Sequence, residues 1–182
     1  MVTALKLTIN QLAALPDDGN RYELIDGELL VSKALGIPHQ LSFMELLYRL
    51  LSYLKKNPVG QLIPGPGVVF DDYNGVIPDL VFVSVERAHI ITDRGLIDAP
   101  DLMVEVVSPG EKNSERDRQI KRQLYSRRGV REYWVVDPQL KTIEVYRLQE
   151  NVLVLEATLR GEDVLRSALF PGFSCSVSEI FA

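Results

Sequence analysis

The sequence holds a single cysteine, Cys175, so no disulfide can close within one chain. That usage fits a reducing compartment. With only two histidines, His39 and His89, and one cysteine, no Cys/His set of zinc spacing exists. No apolar run approaches the roughly 18 residues of a membrane span. The first ten residues lack a basic stretch followed by a long apolar one, so no signal peptide is read and the expected location is the cytoplasm. There is no Gly-rich phosphate loop, no Gly-x-Ser-x-Gly elbow, no internal repeat and no low-complexity tract. Positive charge is also short: the net charge is −5, which argues against nucleic-acid binding by bulk electrostatics.

What is present is an ordinary globular balance, 46% hydrophobic and 25% charged over 182 residues, enough for one domain (1–182) with a real core. Thr8 is placed to cap a short helix over residues 9–15, ended by Pro16. Residues 22–32 read as a β-hairpin turning at Asp26-Gly27. Phe43, Leu46, Leu47, Leu50, Leu51 and Leu54 recur at helical spacing and predict an amphipathic helix over 39–56. Strands are predicted over 68–70 and 80–85, flanking a turn at Asn74-Gly75, and over 102–107. A helix follows over 114–128, stopped by Gly129, then strands over 131–136, 142–148 and 152–159 and a short closing helix in 170–181. Strand, helix, strand across 102–136 predicts a βαβ crossover. The fold class is therefore α/β, a mixed sheet flanked by helices, with additional N-terminal and C-terminal β-hairpins.

Glu105 sits in the middle of the apolar strand, where a carboxylate is rarely buried without a partner or a metal. Asp79 opens a second apolar segment. The helix after Glu105 carries Lys121. Phosphodiester hydrolysis puts charge on non-bridging oxygens and on a leaving alkoxide. Mg²⁺ answers this with one or two carboxylates, waters and the phosphate as ligands. Asp79 and Glu105 suit that metal role if their strands are neighbours, with Lys121 orienting a water or the phosphate. From Glu111 to Arg131, eight basic residues face three acids, a local net charge of +5 that leaves −10 for the rest. Such a strip grips phosphates, although most charge runs are solvated helix faces.

Several blocks occur in order: Tyr22-Glu23-Leu-Ile-Asp-Gly27, His39, Pro78-Asp79, Val104-Glu-Val-Val-Ser-Pro109, Asp117-x-x-x-Lys121-x-x-x-Tyr125 and Gly129-Val-Arg-Glu-Tyr-Trp-Val-Val-Asp-Pro138. In these the chain resembles the Uma-type restriction endonucleases of the PD-(D/E)XK nuclease superfamily, over about residues 8–175. The resemblance implies a restriction-endonuclease-like core and divalent-metal-dependent cleavage of DNA, with Mg²⁺ the expected ion and Mn²⁺ its substitute. A homodimer is expected because cutting two strands takes two sites. Asp79 and Glu105 match the two acids, and Glu23 an acid of the first block. The superfamily lysine would stand two residues after the second acid, where this chain has Val107. The family places it on the following helix, and Lys121 fits there. The family pattern makes His39 an auxiliary contact to phosphate or metal-bound water. Lys112, Arg116, Arg118 and Arg122 of the basic strip are expected on the DNA backbone.

Ordinary alternatives stand beside these readings. Asp101 repeats the Pro-Asp dipeptide but shares a strand with Glu105, so Asp79 is preferred. Asp117 and Lys121, four apart, read as a surface ion pair, with Ile120 and Leu124 marking the buried stripe and Lys121 at its edge. Tyr125, an auxiliary site candidate beside His39, reads alternatively as packing with a polar tip; Tyr133 and Trp134 read as core, and His89 as surface. Glu105 itself reads alternatively as a buried ion pair with an arginine or with Lys121. At the level of function, the rival to an endonuclease is a catalytically inactive nucleic-acid-binding or assembly module on the same scaffold. A phosphodiesterase for RNA or branched DNA is a further possibility.

Overall fold

The computed structural model describes residues 6–32 and 35–181. Its elements in chain order are α1 (Ile9–Leu12), β1 (Arg21–Ile25), β2 (Glu28–Ser32), α2 (Ile37–Leu54), β3 (Gly60–Pro64), β4 (Val68–Asp71), β5 (Asn74–Val76) and β6 (Leu80–Ser84). A 3₁₀ turn (Val85–Ile90) leads to the short strands β7 (Ile91–Thr92) and β8 (Gly95–Leu96), then β9 (Leu102–Val106). One continuous helix follows, with α3 (Glu111–Glu115) and α4 (Arg122–Arg127) joined by a π-helical stretch over Arg116–Lys121. The chain finishes with β10 (Glu132–Asp137), β11 (Thr142–Gln149), β12 (Val152–Arg160), β13 (Val164–Leu165) and β14 (Cys175–Ser176).

β9 is the middle of the molecule because every one of its residues is buried, as its unbroken apolar run demands. It pairs in parallel with β10 (Glu105 beside Val135) and antiparallel with β6 (Leu80 opposite Val104). The helix 111–127 makes the crossover between β9 and β10, which gives the predicted βαβ unit. The central sheet runs β12-β11-β10-β9-β6-β3, and a second sheet runs β2-β1-β5-β4-β8-β7. The result is a mixed α/β architecture with hairpins at both ends.

Strand alternation sorts the core onto two faces. Leu80, Phe82, Leu102, Val104, Trp134 and Val136 face α2 and the C-terminal tail, where Leu46, Leu50 and Phe170 pack on them. Val81, Val83, Met103, Tyr133 and Val135 face the crossover helix through Leu124 and Tyr125. By period two, Asp79 and Glu105 fall on this second face.

The Asp26-Gly27 turn is as predicted, with both residues at positive φ (52° and 81°), the geometry a two-residue hairpin needs. Asn74-Gly75 is not a turn. It lies in β5 and pairs with β4 and β1, and the chain reverses before it. The buried Asn74 side chain accepts from the Asp26 amide (2.9 Å) and donates to Asp71 (2.9 Å), so a turn-forming residue is used to tie two hairpins. The N-terminal helix is shorter than predicted: Thr8 and Gln11 form a capping box, but the helix ends at Leu12. The closing helix is a single 3₁₀ turn, Val177–Glu179. No helix among the described residues is long and apolar enough to cross a membrane.

Candidate active site

Three segments deliver acids to one cleft of about 410 Å³. Continuing the β6/β9 register by one position sets Asp79 opposite Glu105, where side chains on the same face approach within about 5 Å Cβ to Cβ. Glu23 comes from β1 in the second sheet, and its Oε1 accepts from the Ile77 amide at 2.8 Å. Lys121 crosses from the π-helical stretch. Its Nζ stands 2.9 Å from Glu105 Oε1 and 2.9 Å from Glu23 Oε1. The Tyr125 hydroxyl donates to the same Glu105 oxygen at 2.8 Å. Glu105 Oε2 is therefore left without a hydrogen-bond partner among the described residues.

Asp79 is gripped from three sides. Arg21 Nη1 reaches Oδ1 at 2.9 Å, while His39 Nε2 (3.1 Å) and the Val106 amide (2.9 Å) address Oδ2. Burial alone would raise its carboxyl, but His39, the amide and Arg21 together hold it down at about 2. Glu105 shifts the other way. Burial pushes it above the usual carboxylate range, and Asp117, Asp79 and Glu23 push in the same sense against the pull of Lys121. Burial would strip the Lys121 proton, but Glu105, Glu23 and Asp117 hold the ammonium charged. Two carboxylates facing each other on adjacent strands thus differ in proton affinity, a pattern that functional sites and structural ion-pair networks share.

The family model described as "Putative restriction endonuclease", Uma2, matches residues 9–178. The chain belongs to the Uma2 family. No curated protein matches the sequence. Among solved structures, the Uma2 chain is similar to a protein from Anabaena variabilis described as a putative nuclease belonging to DUF820. The TM-score is 0.78 at 17% identity, covering 96% of this chain and 97% of the other. The type IIG restriction endonuclease BpuSI gives a TM-score of 0.43 at 15% identity, over 82% of this chain and 16% of that one. The first of these likenesses establishes the shared fold.

Within the Uma2 chain, Asp79, Glu105, Lys121, Glu23, His39 and Arg116 all line the same cleft. Tyr125 stands behind it, fully buried, and its phenol is raised well above its ordinary range by burial and then by Glu105. Asp101 is fully buried elsewhere, on the Ser84 amide (2.8 Å) and Arg131 (3.0 Å). Arg118 does not join the cleft: it spans Ser114, Glu144 (2.7 Å) and Asp137 (2.9 Å). Arg122 lies over the Tyr146 ring, 5.2 Å from its centroid. The Lys112 side chain lies outside the described residues.

The helix corrects the expected pattern. Asp117 and Lys121 are not a surface pair: they are 0% and 1% exposed, whereas Ile120, expected in the buried stripe, is 41% exposed. Within the π-helical stretch Asp117 and Lys121 turn inward and Ile120 turns to solvent. Asp117 pairs instead with its neighbour Arg116, Nε to Oδ1 at 2.9 Å and Nη2 to Oδ2 at 3.2 Å. Arg21 escaped the sequence reading altogether. Its signal was its place two residues before Glu23, on the same face of β1.

Among the described residues no three His, Cys, Asp or Glu side chains stand close enough to share an ion. Two carboxylates suffice for Mg²⁺, whose other ligands are waters and phosphate oxygens. Glu105 Oε2 and the second lone pair of Asp79 Oδ1 are unspent oxygen donors on one cleft wall, and hard oxygen is what such an ion selects. The residues fit.

Proposed function

We propose that this chain is a divalent-metal-dependent endonuclease hydrolysing DNA phosphodiester bonds, using Mg²⁺ and accepting Mn²⁺. The observation that carries the reading is the convergence of Glu23 and Glu105 on the Lys121 ammonium in a cleft that Asp79 also lines. Buried ion clusters are often no more stable than apolar packing, so their presence calls for a role beyond holding the fold. Asp79 and Glu105 would hold the cation, with Glu23 assisting. A bound ion would neutralise phosphate charge and acidify a water. The remaining work falls to side chains. Arg21 and His39 fix the Asp79 carboxylate. Lys121, with two N–H donors committed to the glutamates, keeps one to orient a water or a non-bridging oxygen. Arg116, its fork held by Asp117, keeps Nη1 for a phosphate. Lys112 and Arg122 extend the DNA-backbone contact, and the protein works in the cytoplasm as a homodimer, because cutting two strands takes two sites.

The test is plasmid DNA incubated with Mg²⁺ and with Mn²⁺. Wild type should nick and linearise it, and Glu105→Gln and Asp79→Ala should do neither while melting as folded proteins. Full cleavage by either variant would reject the site. One observation favours a second reading, an inactive nucleic-acid-binding module: Lys121 already neutralises both glutamates. Salt-sensitive DNA binding without calorimetric metal uptake would decide for that module. RNA and branched-DNA substrates in the same assay fix the substrate form.

A further inference from the structure

α2 carries two apolar faces. Leu46 and Leu50 pack on the central sheet. At the 100° step of an α-helix the diametrically opposite side is Ile37, Leu41, Met44, Tyr48 and Leu51. These five are 41–73% exposed along the whole helix. A surface helix ordinarily carries charge there, and a helix apolar on both sides is one that is covered on both sides. The spacing is four, three, four, three. That is the 3.5-residue period of a narrow seam, which matches a second helix of equal pitch, with knobs of one entering holes of the other. A helix lying on a membrane would flank its apolar side with free cations. Within α2 the one Lys or Arg, Arg49, is tied to Glu45 (2.7 Å) and Glu179 (2.9 Å), and the exposed Lys55 and Lys56 stand only past its C-terminal end.

We infer that α2 pairs with α2 of a second copy of this chain, antiparallel across a two-fold axis at Met44. The seam is self-complementary about that residue to within one position: Ile37 meets Leu51, seven residues either side, Leu41 and Tyr48 meet from three residues before and four after, and Met44 meets its own copy. Such reciprocity is what an isologous interface requires. The five side chains leave on the order of 600 Å² in water, most of the ~800 Å² per partner that a stable interface covers. Axes 8–10 Å apart are the norm for such contacts. His39, on the first turn of α2, lies five residues from the axis, so the two copies stand about 15 Å apart along the helices. The pairing rests on neither metal nor DNA.

The experiment is sedimentation velocity on the full chain across the micromolar range. Wild type should sediment at twice the 20.5 kDa chain mass. Met44→Glu combined with Leu41→Glu should sediment as one chain, its dissociation constant raised more than tenfold, with an unchanged circular-dichroism melt. A wild type that is monomeric throughout, whether or not it co-sediments with anionic vesicles, would overturn the inference. So would a double variant that stays dimeric. Should the double variant fail to fold, Met44→Cys tests the same geometry. Oxidation should link two copies through residue 44, while Val154→Cys on the β12 edge should not link; the reverse result places the interface on β12 and ends the proposal.

Discussion

Replacing Lys121 by methionine keeps the length of the side chain and removes its charge, leaving Glu23 and Glu105 facing each other with no ammonium between them. Removing one partner of a buried pair costs about 3–5 kcal/mol, because the other charge stays buried. Glu105 is already pushed upward by burial and relieves the strain by binding a proton, so the low end, about 3 kcal/mol, applies near neutral pH. In a chain of this size that is a fall in Tm of roughly 6–12 °C. The pH dependence has a definite sign. Without Lys121, Glu105 rises further above its unfolded value. A carboxyl raised in the folded state binds more protons there, so its favourable share is complete below about pH 4 and drains away as pH climbs through the folded value. The variant should therefore lose more stability at pH 8 than at pH 5. Urea unfolding at both pH values measures this. Adding Glu105→Gln to the variant should recover about 2 kcal/mol at pH 8, since the uncompensated charge is gone. Equal losses at both pH values, with no recovery in the double variant, would refute the electrostatic account of the cleft.

Two further outcomes concern stability. Asp79, held at about 2 against an ordinary 3.8, lends stability above pH 4 that is lost as pH falls from about 4 to 2; acid titrations should lose about 2 kcal/mol over that window, and Asp79→Asn should flatten it. A Cβ on Gly60 would stand 2.3 Å from the Val83 carbonyl oxygen and 2.6 Å from the Phe82 ring, so Gly60→Ala should cost about 2 kcal/mol or more in urea unfolding.

Much of the site was legible because strands write their faces into the sequence. Glu105 interrupts an apolar run, and Asp79 opens the neighbouring one; the alternation that buries Met103 and Val81 carries both acids to one side. Their convergence needed only that β6 and β9 be adjacent. The helix was less legible. Counting at 3.6 residues per turn put Ile120 inside and Lys121 at the rim, and nothing in the residues 116–121 announces a wider turn. The π stretch is imposed by what lies beneath it: two glutamates awaiting an ammonium, and the Tyr133 hydroxyl donating to the Asp117 carbonyl at 2.9 Å. Asn74-Gly75 misled for a related reason, since its local preference for a turn yielded to pairing with two strands. Charge counting misjudged Arg118 because composition cannot show that Asp137 and Glu144 from the next two strands close on it.

The π stretch has an evolutionary corollary. Such a turn amounts to an α-helix with one supernumerary residue, so excising a single position between Arg116 and Lys121 would let the ladder close regularly. The helical turn upstream would swivel by about 100° about the axis while Leu124 and Tyr125 stayed seated. Lys121 would keep its post and Arg116 would swing off the cleft wall. A one-codon deletion is thus a short route from a helix that offers the cleft two cations to one that offers Lys121 alone, while Arg21 stays in place on β1.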